Sequence, residues 1–292
     1  ALSLANNRDL RVALANIERA RAQYGITEAA RLPTVAASAQ ASRSRTAADL
    51  ATNGTSSTGT QYTAQFAVTS FELDFWGRVR SLNESALQAF LQTEANRRTV
   101  QLTLVSDVAN AWLNVAATEA RLALARDTLA ARAKAYQLTE RMHQLGATSG
   151  LVLAQNRSTV ETARGDVAAA LAQLAKDRNA VELLVGGGVP QRLLPTAATL
   201  GPGGSSAAVL PSLPPQLPSS LLLARPDVQA AEFNLRALSA NVNAARAAMF
   251  PTITLTSSVG TGSRELDALL GAGNGSWSFV PQVRWPLFDG GA

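Results

Sequence analysis

The chain has 292 residues, of which 47% are hydrophobic but 5% aromatic, a length that suits one or two domains. It has no cysteine and one histidine, His143, so disulfides, thiolate metal sites and histidine metal clusters are excluded within this sequence, and no cofactor is expected. The net charge is +5, but the basic residues are scattered singly, which argues against nucleic-acid binding. No run of about 18 apolar residues occurs, so no transmembrane helix is predicted.

The first 75 residues predict a helix followed by a β-hairpin. Residues 9–32 have a helical pattern, with Asp9 at the start and Pro33 after the end, and we assign 1–32 to this helical segment. Residues 34–45 and 61–73 alternate between apolar and polar side chains, as strands do, and a Gly/Ser/Thr loop separates them at 46–60. Each strand has about the ten residues that a tilted β-strand needs to cross a bilayer, so 33–75 is a candidate transmembrane hairpin.

Residues 76–185 predict a long helical hairpin. No proline or glycine occurs from Arg78 to Leu145, which predicts a helix about 100 Å long, and a second helix covers 151–185 after a turn at 145–150. The first helix has a heptad seam at Leu104, Val108, Ala111, Val115, Thr118, Leu122, Ala125 and Leu129. The second has a seam at Leu153, Val160, Ala163, Val167, Ala170, Leu174, Val181 and Leu184. Further apolar residues beside the first seam predict a second packing neighbour.

The last hundred residues repeat the pattern of the first 75. Residues 186–224 form a connector rich in Pro, Gly and Ser, after which 225–250 predict a helix that Pro251 stops. Residues 251–289 predict a second hairpin, with strands at 252–259 and 276–287 around a Gly-rich loop at 260–275. A shift of 218 residues aligns Asp9 with Asp227 and Pro33 with Pro251, which indicates a duplicated half. We expect the chain to be part of a longer protein.

Each predicted hairpin has one apolar and one polar face, as the strands of a membrane β-barrel do. Tyr62, Trp277 and Trp285 lie near the ends of the predicted strands, where aromatic side chains meet the membrane interface. Four strands cannot close a barrel, and open strand edges are not tolerated in lipid. The barrel must therefore be shared between chains, and three chains would supply twelve strands.

Four short motifs connect the chain to a known family. Their residues are Asn6-Asn7-Arg8-Asp9-Leu10, Phe71-Glu72-Leu73-Asp74-Phe75-Trp76-Gly77-Arg78, Leu217-Pro218-Ser219-Ser220-Leu221-Leu222, and Ala244-Ala245-Arg246-Ala247-Ala248-Met249-Phe250-Pro251. Together they resemble the NodT-type outer-membrane efflux lipoproteins of the TolC family, in the same order and over essentially the whole chain.

The resemblance implies a mixed α/β membrane protein of a Gram-negative bacterium. It implies a homotrimer with a 12-stranded β-barrel in outer-membrane lipid, and long antiparallel coiled-coil helices that form a periplasmic α-barrel. Residues 186–224 would be the equatorial region. The acylated cysteine of the family, and a second long helical hairpin with the gate residues, would lie outside this sequence.

The implied function is that of a passive exit duct, without catalytic residues, for drugs or other toxic compounds. The partners would be a periplasmic adaptor and an inner-membrane pump of the resistance-nodulation-division type. The turn resembles the adaptor-docking motif Val-Gly-x-x-Ser, with leucine in place of valine, at Leu145, Gly146, Ala147, Thr148 and Ser149. The family often continues with Leu-Asp, whereas this chain has Leu151-Val152, so a polar contact from position 152 is not expected.

Other interpretations remain open from the sequence alone. The same fold serves type I protein secretion, and a soluble coiled-coil interaction protein would share the helical pattern. An acid/base pair at Glu72 and Asp74, or at Asp107 and Glu119, is less favoured than solvated or helix-capping carboxylates, because helical neighbours are three or four residues apart. Lone His143 is a weak candidate for a pH sensor, and the glycines at 186–188 lack the context of a phosphate loop. Trp112 is expected to pack rather than to bind a ligand.

Overall fold

The computed structural model describes residues 1–50, 54–197, 216 and 218–288. The helices are α1 (Leu2–Asn6), α2 (Arg8–Ala29), α3 (Arg78–Gln144), α4 (Gly150–Val185), α5 (Ser220–Leu223) and α6 (Pro226–Ala248). The strands are β1 (Val35–Thr46), β2 (Ser57–Glu72), β3 (Thr252–Ser263) and β4 (Gly275–Arg284). The chain divides into two compact units, Ala1–Asn16 with Glu94–Val228, and Ile17–Thr93 with the residues from Gln229 onwards.

The first unit is built on the contact between α3 and α4. The two helices have 67 and 36 residues, and every residue predicted for their heptad seams is buried or half-buried. Val115, Leu122, Leu174 and Val181 form the centre of this core, with Val115 fully buried. The seam prediction is confirmed, because a seven-residue repeat keeps one apolar stripe of each helix facing the other along their length.

Two polar contacts fix how α3 lies against α4. Thr118 occupies a seam position, and its hydroxyl donates a hydrogen bond to the Asp177 carboxylate at 2.6 Å. One residue further along each helix, the Arg178 guanidinium forms an ion pair with Glu119 at 2.6 Å. A polar group in an apolar seam is stable only with a partner at one register, so these pairs oppose sliding of the helices.

Asn7 separates α1 from α2 and joins both to the end of α4. Its side-chain oxygen accepts a hydrogen bond from the Leu10 amide at 2.9 Å, which caps α2, and its amide group donates to the Leu184 carbonyl at 2.9 Å. Gly186 ends α4 in the left-handed conformation, with φ of 80°, and a Cβ there would lie 2.4 Å from the Asn6 carbonyl oxygen. The sequence predicts one helix over 9–32, but it does not predict this junction.

The described part of the connector after α4 includes short helical elements. A 3₁₀ turn covers Gln191–Leu193, and the indole N–H of Trp112 on α3 donates to the Leu193 carbonyl at 3.0 Å. Trp112 therefore holds the connector to the helix. The helix α5 lies where no periodic element is predicted. Most of the connector, residues 198–215 and 217, is outside the described residues.

The second unit contains one antiparallel sheet with the strand order β1-β2-β3-β4. Both hairpins belong to it, because β2 of the first pairs with β3 of the second. Residues opposite each other share a face, and one such row contains Ala37, Phe66, Val259 and Trp277. The adjacent residues Gln65, Ser258 and Ser278 lie on the other face. The predicted division into an apolar and a polar face therefore extends across all four strands.

A β-bulge in β2 keeps this division intact. Val68 pairs with Ser257 but Phe71 pairs with Leu255, so β2 has one extra residue at this point. Ser70 has a φ of 51°, and its amide donates to the Thr256 hydroxyl at 3.2 Å. The extra residue moves Phe71 onto the apolar face, whereas strict alternation from Val68 would place it on the polar face.

Three predicted strand limits are wrong. The strand β2 begins at Ser57 rather than 61, because residues 57–60 pair with the end of β1. The strand β3 continues to Ser263 rather than ending at 259, because Gly260 lies against Ala64 and Gln65, where a Cβ would be 2.3 Å from the Ala64 carbonyl oxygen. The strand β4 ends at Arg284, before Trp285 and Pro286.

The helix α6 buries a stripe of small side chains in the second unit. Its buried residues are all alanine, at positions 230, 237, 240, 244 and 247. Small residues at this spacing leave room for close approach by another part of the chain. The helix begins with Pro226, whose fixed backbone angle suits a first turn.

Candidate functional site

The turn between α3 and α4 presents apolar side chains to solvent. The amide of Ala147 donates to the Met142 carbonyl at 2.8 Å, and the Ser149 hydroxyl accepts from the Val152 amide at 3.4 Å, which caps α4. Leu145 is 84% exposed and Leu151 is 69% exposed. The capped turn thus exposes two large leucine side chains at the end of the helical hairpin.

His143 stabilises this turn. Its Nδ1 lies 3.0 Å from the Thr148 carbonyl oxygen, which only accepts, so the ring donates this hydrogen bond. Ala147 and Thr148 thus lie in a loop fixed from both sides. The sequence places His143 near the turn but gives no sign of this bond.

The two faces of the sheet form a second candidate site. The apolar face presents large exposed side chains, among them Phe66 at 61% exposure and Trp277 at 78%. Of the predicted interface aromatics, Trp277 is near the start of β4 and Trp285 directly follows its end. Tyr62 instead lies well inside β2, since that strand begins at Ser57. Within the described residues, the outer edges of β1 and β4 have no strand partner.

The junction between β2 and α3 brings two of the sequence motifs together. Trp76 stacks on Phe250 with ring centroids 5.0 Å apart, and its indole N–H donates to the Pro251 carbonyl at 2.7 Å. One motif thus contributes the indole and the other contributes the ring and the carbonyl. The sequence identifies both motifs but not their contact.

The carboxylates of this junction have structural partners. Asp74 accepts hydrogen bonds from the Val79 and Arg80 amides at 3.1 and 2.7 Å, which caps the start of α3. Glu72 accepts two hydrogen bonds from the Arg78 guanidinium, and these raise the pKa of Arg78 above its ordinary value. The helix-capping interpretation is confirmed for Asp74, and the acid/base pair is not supported.

The second predicted carboxylate pair is also separated by its contacts. Glu119 is paired with Arg178 on α4. Asp107 lies instead beside Asn7 and Asp9, where a small cavity of about 270 Å³ opens. The two carboxylates do not share a partner.

Two properties of the helices and side chains bear on the class of site. Within the described residues, none of the helices combines the length and hydropathy of a membrane span. In the same part of the chain, no three His, Cys, Asp or Glu side chains are grouped to hold a metal ion.

Comparison with known proteins agrees with these features. The family model for outer membrane efflux proteins matches residues 1–187 and 217–292. The toluene efflux pump outer membrane protein TtgC of Pseudomonas putida is 41% identical over 290 residues, which cover 99% of this chain and 59% of that protein. The chain thus spans about six tenths of the length of this relative.

Solved structures show the same fold. A membrane protein from Pseudomonas aeruginosa superposes with a TM-score of 0.91 at 39% identity, covering 99% of this chain and 66% of that one. The Neisseria gonorrhoeae outer membrane channel MtrE, solved in its open state, gives a TM-score of 0.84 at 36% identity, covering 99% and 63%. The long helices, the four-stranded sheet and the family match together identify this chain as a member of the outer membrane efflux protein family.

Proposed function

We propose that the chain is part of the outer-membrane exit duct of a tripartite efflux system, which passively conducts drugs or other toxic small molecules to the exterior. The observation that carries this proposal is the sheet with one apolar and one polar face. An apolar face with Phe66, Val259 and Trp277 in one row suits acyl chains. A polar face with Gln65, Ser258 and Ser278 suits a water-filled lumen.

The open edges of β1 and β4 support a barrel shared between copies of the chain. Four strands are too few to enclose a lumen, whereas three copies supply twelve, an even number within the range of outer-membrane barrels. Exposed apolar side chains on the long helices support the same assembly, with Leu124 on α3 at 68% exposure and Leu183 on α4 at 79%. In a trimer these leucines would pack on helices of the next protomer.

The turn at 145–150 supports docking to a periplasmic adaptor. Leu145 and Leu151 offer apolar contact area, and the capped backbone around Ser149 presents them in one conformation. A preorganised contact surface loses little conformational entropy on binding. The energy for transport would come from an inner-membrane pump of the resistance-nodulation-division type, since the duct needs no catalytic group.

The two faces of the sheet give a direct test. Phe66→Lys places a charge on the face assigned to lipid, and Gln65→Lys places the same charge on the face assigned to the lumen. A lipid-facing lysine costs about 2–4 kcal/mol at the bilayer midplane. We expect Phe66→Lys to reduce the amount of protein in the outer-membrane fraction and Gln65→Lys to leave it unchanged. Equal recovery of both variants would contradict the proposed membrane face.

The efflux role is tested by drug and solvent susceptibility. Cells without the protein should become sensitive to the same compounds as cells without the genetically linked pump. Leu145→Asp should weaken crosslinking to the adaptor and reproduce that sensitivity. The control Leu138→Asp changes a leucine that is 61% exposed on α3 before the turn. If both variants behave like wild type, docking at this turn is wrong.

A further inference from the structure

A cavity of about 400 Å³ opens where β2 ends and α3 begins. Phe71, Leu73 and Phe75 form its apolar wall. Arg31, from the turn after α2, and Arg80, from the first turn of α3, contribute two guanidinium groups. The remaining lining residues are Glu72, Asp74 and Val79.

The apolar wall of the cavity continues the apolar face of the sheet. The bulge at Ser70 places Phe71 opposite Leu255, on the same face as Phe66 and Val259. The Leu73 amide donates to the Ile253 carbonyl at 2.8 Å. Leu73, two residues after Phe71, is therefore still hydrogen-bonded to β3. A hydrocarbon chain lying along the apolar face therefore meets the cavity at the end of the strands.

The charged side chains of the cavity differ in whether they have a partner of opposite charge or a hydrogen-bond donor. The Glu72 carboxylate is paired with Arg78, and both oxygens of Asp74 accept backbone amides of α3. Among the described residues, no carboxylate oxygen lies within 4.0 Å of the Arg31 or Arg80 guanidinium. The carboxylates thus have partners, while the two arginines are available to an anion.

We propose that this cavity binds the phosphate group of a phospholipid. Arginine matches phosphate oxygens with paired N–H donors, and two arginines on different elements can hold one phosphate between them. The aromatic walls of Phe71 and Phe75 would cover the glycerol and the first acyl carbons. The inference rests on the proposed function, because it needs the apolar face to lie in lipid. Inorganic phosphate shares the anion chemistry but gains nothing from the apolar walls.

The test compares lipid retention by two double variants of the protein in vesicles of phosphatidylglycerol and phosphatidylcholine. The first is Arg31→Gln with Arg80→Gln. The matched control is Arg132→Gln with Arg157→Gln, which removes two exposed arginines from α3 and α4. After detergent extraction, native mass spectrometry counts the phospholipids that remain bound. We expect retention to weaken about tenfold for each cavity arginine removed, and the control to match wild type.

Each outcome decides the inference. Vesicle flotation first shows whether the protein inserts, and a wild-type protein that does not float would overturn both the proposed function and the lipid site. If wild type and cavity variant both float but retain lipid equally, the lipid site alone is wrong. Excess inorganic phosphate should not displace the bound lipid, and displacement would assign the cavity to a free anion instead.

Discussion

Trp76 lies against Phe250, with the two rings 5.0 Å apart and inclined by 20°, while its indole N–H bonds to the Pro251 carbonyl. This single side chain joins the entrance of α3 to the point where α6 passes into β3. An indole provides both an apolar ring and an N–H donor. Two of the motifs that resemble the family therefore meet at this junction.

Two substitutions of Trp76 separate the contribution of the stacked ring from that of the N–H donor. Trp76→Phe keeps a ring on Phe250 but removes the donor, and it should lower the free energy of unfolding by about 1 kcal/mol. Trp76→Ala removes both and should cost about 2 kcal/mol or more. The urea dependence of unfolding in detergent measures both losses. Equal losses for the two variants would show that the stacking contributes nothing.

Gly186 should not tolerate a side chain. A Cβ at this position would meet the Asn6 carbonyl oxygen, and the left-handed backbone costs an L-residue about 1–2 kcal/mol by itself. We expect Gly186→Ala to destabilise the end of α4 by more than that amount, measured by hydrogen exchange of the amides near Leu184. Gly187→Ala is the control, because a Cβ there meets nothing within 4 Å. Similar exchange in both variants would contradict the close approach.

Gly260 should be required for pairing of the two hairpins. A Cβ would lie 2.5 Å from the Cβ of Gln65, so Gly260→Ala must push β3 away from β2. We expect a clear loss of folded protein, seen as a smaller fraction of the fast-migrating, unheated form on gels. Gly262→Ala should fold normally, since its nearest contact would be the Thr63 methyl group at 3.6 Å. If the Gly260→Ala variant folds, β2 and β3 have space for a Cβ at this position.

The start of α6 should loosen in acid. The Arg225 guanidinium hydrogen-bonds Asp227 and lowers the pKa of this carboxyl below its ordinary value of 3.8. A lowered pKa means that the stabilisation is present above the ordinary value and is lost as the pH falls through the lowered one. Hydrogen exchange near Val228, corrected for intrinsic rates, should therefore rise in that acid range.

Asp227→Asn provides the comparison for this titration. The variant should show faster exchange at neutral pH and no further change on acidification. Asp166→Asn, at an exposed position of α4, should leave the α6 amides unaffected. An acid response that persists in Asp227→Asn would assign the effect to another group.

The periodic parts of this chain could be predicted from sequence, and the exceptions could not. The seams around Val115 and Leu174 follow from a seven-residue repeat, and the faces around Phe66 follow from strict alternation. The sequence pattern places Gly260 in a loop, because glycine commonly marks loops, whereas in the structure it permits two backbones to approach. The distinction depends on Ala64 and Gln65, which are far away in sequence.

The candidate functional site likewise has one part that can be predicted from the sequence and another part that cannot. The turn at Gly146 is visible as a break between two long helical patterns, so Leu145 could be located from sequence. The hydrogen bond from His143 to Thr148 needs the three-dimensional course of that turn. The cavity arginines give no sequence signal either, because Arg31 and Arg80 come from elements separated by two strands.

The bulge at Ser70 also determines on which face of the sheet the side chains after it lie. If the same residues alternated without the bulge, Phe71 and Glu72 would exchange sides, and Glu72 would point to the face that carries Phe66. Its partner Arg78 would then have to follow it or lose the ion pair. The odd spacing of three residues from Val68 to Phe71 therefore requires the bulge. Deletion of Ser70 would leave an even spacing, which a regular strand accommodates with Phe71 on its present side.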